Sequence, residues 1–424
     1  MTKTARPALL AVTSETPLPL DTGGHLRTFH LLRILSTRFD LRLVAPASRS
    51  TAGGDAPALA AAGISPRLVP VAPRTVVGEA VKIAGAAARR EPYVFFRRHW
   101  RRAVARRIRE EAQRLRPHVM YLDHLDSLVY ASAAPGVPIV VDMHNVYSRL
   151  ARRAAAEASG TFRRCYVARE AELIARMERR AVQMAHTILA VSDEDAAYFS
   201  DMGAARVVVV PNGVDCAAYA APSARTDPPT ILYVGSLAWP PNASAARFLA
   251  CDVLPIVHQS LPEARLVIVG KNPPSELVER STRDNRLQMA GHVTDVTAYF
   301  SHSHVLAVPL EAGGGTRLKI LEAFAAGLPV VSTPVGCEGI AANDGEHLVV
   351  ADRSAFASAL VELLRRPEWA SDLAKRARCV ARDRYDWTVV GRLACDAVAG
   401  ATSRTRTRAT SLAGLAMPTR VVTP

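Results

Sequence analysis

The residues best suited to chemistry lie between Ala307 and Thr333, in the run AVPLEAGGGTRLKILEAFAAGLPVVST. An apolar run, Val305 to Leu310, predicts a buried strand. Gly313, Gly314 and Gly315 follow, and Thr316 leads a helical pattern with Leu318, Leu321 and Ala325 on one face. Gly327 and Pro329 stop that helix, and Val330 to Val331 predict the next strand. Strand, glycine loop and helix suit a phosphate. The glycines let backbone N–H groups approach a ligand, and a helix N-terminus carries unpaired N–H groups and partial positive charge. Arg317 and Lys319 add full charges in the first turn, against the helix dipole, a conflict that an anionic ligand resolves. Lys319 and Glu322 (i, i+3) share a face apart from the Leu318/Leu321 stripe. A lysine for a diphosphate then stands beside a carboxylate for ribose hydroxyls. The run is not the Walker pattern, which needs Gly-Lys-Ser/Thr at the helix start.

These residues need a scaffold, and the chain predicts one twice. Strands are expected at Ala8 to Val12, Leu41 to Val44, Leu68 to Val71, Val119 to Leu122, Ile139 to Val141, Thr187 to Val191 and Val207 to Val210. The loop Pro17 to Gly24 enters a helix at Leu26 to Ser36, and a long helical region covers Ser148 to Ala185. Residues 217 to 229 are small, polar and proline-rich, and predict a linker. The pattern restarts with strands at Ile231 to Val234, Leu266 to Val269, Leu287 to Met289 and, after the glycine-loop unit, Leu348 to Val350. Helices are expected at Arg247 to His258, Val278 to Arg283, Ala355 to Leu364 and Glu368 to Arg384. Strands alternating with helices predict an α/β protein with two parallel sheets, whose ligands bind outside the strand carboxyl ends. Gly23-Gly24, His144, Gly235 and the Gly313 loop all lie at such ends, and two facing sheets would put them in one cleft.

Length and composition agree. The chain has 424 residues, suited to two domains of about 200 each. Hydrophobic content is 49% and charged content 22%, as in soluble globular proteins. No apolar run approaches the roughly 18 to 20 residues of a membrane span. The N-terminus has the pattern of a first strand and not of a signal peptide, and six scattered cysteines fit a reduced, cytoplasmic compartment. A net charge of +14 predicts an anionic partner. Nucleic acid is set aside: no recognised motif is present and aromatics are few. Residues 401–424 are polar, basic and without period, and predict a disordered tail. In Arg97 to Leu115, Trp100, Val104, Ile108 and Leu115 fall on one helical face, and Arg98, Arg101, Arg102, Arg106 and Arg109 on the other. Such a helix packs on a core with its arginines solvated, or lies on an acidic membrane surface, peripheral to the inner face. Asp123 and Asp126 form an acidic pair at a strand end, and the expectation is no essential metal.

The motifs in order resemble those of the retaining glycosyltransferases of family 4 (glycosyl transferases group 1), which have the GT-B fold. They are Gly23-Gly24 with Arg27, Asp142-Met143-His144-Asn145, Val191-Ser192, Pro211-Asn212-Gly213-Val214-Asp215, Gly235-Ser236 with Pro241-Asn242, Gly291-His292-Val293-Thr294-Asp295, Gly313 to Glu322, and Pro329 to Thr333. The resemblance covers about residues 8 to 390. It implies an acceptor-side Rossmann-like domain at 1–215, completed by 386–400, and a nucleotide-sugar-binding Rossmann-like domain at 216–385. It implies transfer of a sugar from a UDP- or GDP-linked donor to an acceptor hydroxyl, with retention and no cofactor. The acceptor is left open between glycan, lipid-linked and small molecule. A nucleotide-sugar epimerase or hydrolase of the same fold and a non-catalytic nucleotide-binding protein are the alternatives.

The resemblance also implies roles. Gly23 and Gly24 let the first loop approach the donor phosphate, Arg27 lies on the acceptor side, and His144 faces the transferred sugar. Arg317 and Lys319 hold the diphosphate with the amides of Gly314, Gly315 and Thr316. Glu322 binds ribose, Gly235 lines the donor site, and Gly291, His292 and Val293 lie against the base. Two departures stand out. Where many members carry a first glutamate, seven residues before the second, this chain has Gly314, with Glu311 out of register. The loop GSLAWPPN lacks the basic pair that many members place there, so its duties pass to Arg317 and Lys319.

Overall fold

The computed structural model describes residues 6–48, 50–158, 160–219, 228–312 and 317–413. Gly313, Gly314, Gly315 and Thr316, and most of the expected linker, lie outside them. The chain forms two units, Met1–Val210 with Gly391–Pro424, and Pro211–Val390. Each has its own apolar core.

In the first unit the strands are β1 (Ala8–Val12), β2 (Asp40–Ser48), β3 (Ser65–Val71), β4 (Val119–Asp123), β5 (Ile139–Met143), β6 (Thr187–Ala190) and β7 (Val207–Val209). They pair in parallel in the order β3-β2-β1-β4-β5-β6-β7. β1, β4, β5 and β6 are buried along their whole length, which is why they appear in the sequence as unbroken apolar runs. The second unit has β8 (Thr230–Val234), β9 (Arg265–Val269), β10 (Leu287–Gly291), β11 (Val305–Val308), β12 (Val330–Ser332) and β13 (Val349–Val350). These are also parallel, in the order β10-β9-β8-β11-β12-β13. Strand order reverses between β1 and β4 and between β8 and β11. Those switch points are where open α/β sheets bind ligands.

Several elements differ from the sequence expectation. The helical region after Ser148 is two helices, Tyr147–Glu157 and Thr161–Met184, broken at Gly160. The Arg97–Leu115 helix is shorter: Arg97–His99 is a 3-10 turn, Trp100 is extended, and the α-helix is Arg102–Leu115. The break is held from outside, since the Arg101 N–H donates to the Tyr130 hydroxyl at 3.0 Å. Val104 and Ile108 are fully buried, whereas Arg98 and Arg101 lie off the helix. A helix at Val76–Arg89 had no counterpart in the sequence reading.

The units divide at Val210/Pro211 and Val390/Gly391, about five residues from the expected boundaries. Val214 bridges to Asp386, and an ideal Cβ on Gly213 would lie 2.5 Å from the Trp387 ring, so both segments pack within the second unit. The last helix runs Trp387–Ala413 and so enters the stretch from 401 that the sequence expects as a tail. That stretch, ATSRTRTRATSLA, contains neither glycine nor proline before Gly414.

Candidate functional site

In the second unit, helix Leu318–Ala326 follows β11 and starts two residues later than expected, with Arg317 at its N-cap position. Gly327 ends it with φ 63°, a conformation that favours glycine. Lys319 is in the first turn. Its amine lies 4.5 Å from the centre of the Tyr233 ring and 3.3 Å from Asn242 Oδ1. The Tyr233 hydroxyl donates to Asn242 Oδ1 (2.9 Å), and the Asn242 amide donates to the Ser236 carbonyl (2.9 Å). Gly235 is required here by space. A Cβ on it would stand 2.9 Å from Lys319 Nζ and 2.8 Å from Asn242 Nδ2. Burial, reinforced by the Arg317 charge, brings the Lys319 ammonium down to about 7, against a smaller opposing pull from Glu322. Burial raises the Glu322 carboxyl above its ordinary range, while a hydrogen bond from Tyr219 and the Lys319 charge oppose it. Arg317 is 6% exposed.

This cluster sits at the β8/β11 switch point. It brings together Gly235, Arg317, Lys319 and Glu322. Gly291 and Val293 are half-buried at the end of β10, and His292 is exposed. Glu311 pairs with Arg353 (2.8 Å). Tyr233, Tyr219 and the orienting role of Asn242 were missed. The Asn242 motif was visible, but Tyr233 looked like any apolar strand residue, although it shares a strand face with Gly235 at i, i+2.

In the first unit, register places Asp123 of β4 beside Asp142 of β5. Two adjacent buried carboxylates need cations. Arg27, from helix Gly23–Arg38, supplies one: Nη2 donates to Asp142 Oδ1 at 2.6 Å and Nε to Oδ2 at 3.0 Å. The Tyr121 hydroxyl adds 2.7 Å to Oδ2. His144 supplies the other, with Nε2 at 3.2 Å from Asp123 Oδ1 and 3.5 Å from Asp142 Oδ2. Burial disfavours its charge, but Asp123 and then Asp142 outweigh that and raise the imidazole to about 9. Thr28 Oγ1 lies 2.9 Å from Asp123 Oδ2. Nδ1 of His144 faces Gly24, 3.8 Å from where a Cβ would be. Gly23 and Gly24 are the first turn of the helix and not a loop, with the Thr22 hydroxyl accepting from the His25 N–H. A protonated His144 therefore presents an Nδ1–H donor beside an exposed helix N-terminus.

Arg27, expected on the acceptor side, is 1% exposed and pairs with Asp142, so it positions the carboxylate that holds His144. Asp123, Asp142 and His144 bring three ligand atoms within 4.8 Å of one another. With His144 and Arg27 protonated the two carboxylates are already neutralised, so a divalent cation would have to displace the His144 proton and share Asp142 with the Arg27 guanidinium.

The histidine gives a stability prediction. Its folded pKa, about 9, is above the ordinary 6.5, so its contribution is complete below about pH 6.5 and is lost as pH rises through 9. Unfolding of the wild type from pH 6.5 to 9.5 should show this decline, and His144→Asn should flatten it. An unchanged slope in the variant would contradict the ionised cluster.

Comparison with known proteins gives two family matches, in chain order. Residues 56–218 match the model for Glycosyltransferase Family 4, and residues 228–366 match Glycosyl transferases group 1. Among curated relatives, an uncharacterized 44.6 kDa protein in the cps region of Klebsiella pneumoniae is 29% identical over 164 residues, 37% of this chain and 42% of that one. A phosphatidyl-myo-inositol mannosyltransferase of Mycobacterium tuberculosis is 29% identical over 217 residues, 48% of this chain and 56% of that one. The chain thus spans about half the length of the curated relatives it matches. Among solved structures, Anabaena Alr3699/HepE in complex with UDP-glucose superposes with a TM-score of 0.65 at 15% identity, covering 92% of this chain and 99% of that one. Sucrose-phosphate synthase from Thermosynechococcus elongatus gives a TM-score of 0.70 at 16% identity, covering 95% and 100%. These likenesses show the fold, which is GT-B.

Proposed function

Because the chain carries a family-4 and then a group-1 glycosyltransferase domain on a GT-B fold, we propose that it transfers a sugar from a nucleotide-diphosphate donor, UDP- or GDP-linked, to an acceptor hydroxyl with retention of configuration. The observation that carries this is Lys319, a buried amine in the first turn of a helix at a sheet switch point, fixed by Tyr233 and Asn242. Breaking the sugar–phosphate bond leaves negative charge on the diphosphate, and preorganised cations at that position lower the barrier. Arg317 and Lys319 supply them, and Glu322 takes the ribose hydroxyls. His144 donates from Nδ1 to a hydroxyl of the transferred sugar. No protein base is assigned: a leaving-group oxygen takes the acceptor proton, as the family resemblance implies for retention. No cofactor or metal is part of the proposal.

Lys319 offers a direct test. Its pKa is about 7 without ligand, and a diphosphate returns it toward the ordinary 10.5. Binding of UDP or GDP near pH 8 should therefore take up protons, seen calorimetrically as a dependence on buffer ionisation enthalpy. Lys319→Met should abolish the uptake. Proton release, or equal uptake by the variant, would remove Lys319 from the diphosphate.

Peripheral attachment to an acidic membrane belongs to the proposal, on the exposed Arg102, Arg106 and Arg109 of helix Arg102–Leu115 and on a second helix beside them in sequence. Helix Val76–Arg89 exposes Val76, Val77, Val81 and Ile83 and ends in Arg89. Among the described residues no helix is long and apolar enough to cross a membrane. Co-sedimentation with anionic liposomes should fall with salt and with Val77→Asp/Val81→Asp. No binding at low salt would overturn attachment.

A further inference from the structure

A second concave site lies in the first unit, outside the His144 cluster. It is a cavity of about 270 Å³ lined by the residues that follow β1 (Ser14 to Thr16), the end of β2 (Pro46 to Ser48) and Val71 of β3, so it opens at the carboxyl edge of the sheet. Three arginines line it: Arg74, just after β3, and Arg98 and Arg101, from the segment whose helical reading failed. None of the three is ion-paired within 4 Å among the described residues. Two carboxylates also face the cavity. Glu15 is held by His25 (3.2 Å), whose other ring nitrogen donates to the Pro19 carbonyl (2.7 Å), which leaves Asp55 against three guanidinium groups. Burial and then the Arg98 charge, with Arg101 adding to it, depress the Arg74 pKa against the opposing pull of Glu79, so the guanidinium groups crowd one another more than nearby carboxylates relieve them. Lys82 adds to the crowding: its amine holds the Arg98 carbonyl at 3.2 Å and pairs with Glu79. The extended backbone at Trp100, fixed by the bond from Arg101 N–H to Tyr130, is what turns Arg98 and Arg101 off the helix.

Guanidinium groups converging on a small cavity match the several acceptor oxygens of a phosphate. We propose that this pocket takes a phosphate group carried by the acceptor, an inference that rests on the glycosyl-transfer reading above. The phosphate belongs either to a soluble phosphorylated acceptor or to a lipid headgroup, and the chemistry of recognition is the same.

The test uses the full chain with Lys319→Ala, so that inorganic phosphate cannot bind at the Lys319 amine. Adding Arg98→Gln and Arg101→Gln should weaken inorganic phosphate binding by at least about tenfold, the loss expected for charge-assisted contacts. Both arginines are only partly buried, so the melting temperature should hold. In the otherwise wild-type chain the same pair should leave UDP and GDP affinity unchanged. Phosphatidylcholine vesicles containing phosphatidate, with and without the pair, separate the sources. Arginine-dependent vesicle binding means a lipid phosphate; arginine-dependent binding of free phosphate alone means a soluble acceptor. Phosphate affinity indifferent to both substitutions overturns the pocket. Failure of UDP and GDP to bind the wild type, with phosphate still dependent on the arginines, overturns the acceptor role and leaves an anion site.

Discussion

Lys319→Ala should lower turnover of the nucleotide sugar on the order of a hundred- to a thousandfold, with little loss of stability. The magnitude is that of removing one preorganised charge from a developing oxyanion. The fold should survive because the amine is not a stabilising charge in the free protein. Burial and Arg317 already bring it to about 7, so it is partly neutral at physiological pH. Its removal relieves a desolvated charge and leaves Tyr233 and Asn242 bonded to each other at 2.9 Å. Steady-state kinetics and thermal unfolding on the same preparation check both halves. Activity within a few-fold of wild type would overturn the assignment, and so would collapse of the fold in proportion to activity.

The largest stability effect should come from Arg27. Arg27→Met leaves Asp142, which is 0% exposed, facing Asp123 without its guanidinium. Breaking one side of a buried pair costs up to about 3–5 kcal/mol, because Asp142 then has only the Tyr121 hydroxyl and the more distant His144 to hold its charge and cannot reach water. Thermal unfolding should show the first domain melting on the order of 10 °C lower. Arg27→Met/Asp142→Leu should recover much of the loss, since no lone buried charge remains. A single variant as stable as wild type would mean that the pair does not organise the cluster.

These two residues also show how far the sequence could be read. Lys319 was legible because a glycine loop, a helix start and a cation against the dipole are local signals. Arg27 was not, because its meaning depends on Asp142, distant in sequence and adjacent only through the β1-β4-β5 order. Gly235 is visible in the sequence as part of a motif, but the need for glycine appears only when Lys319 and Asn242 close over it. The buried strands were legible as apolar runs. Helix Val76–Arg89 was not, since among its residues only Ala86 is buried and no core-facing period marks it. The Arg97–Leu115 stripe misled at its start: Trp100 fits the helical spacing, yet a hydrogen bond to Tyr130 holds that segment extended. The glycine loop itself, Gly313 to Thr316, lies outside the described residues, so its amides rest on the sequence alone.

The central claim is that a nucleotide-diphosphate sugar is turned over at Lys319, and the most direct test is a panel of UDP- and GDP-linked sugars offered with mixed acceptors. Release of the nucleoside diphosphate should appear with one class of donor, depend on an acceptor, and vanish in Lys319→Ala. The linkage of the product, followed by NMR, should keep the donor's anomeric configuration. Binding of no nucleoside diphosphate by the wild type would contradict the account, and free sugar formed equally well without any acceptor would assign the fold to hydrolysis instead.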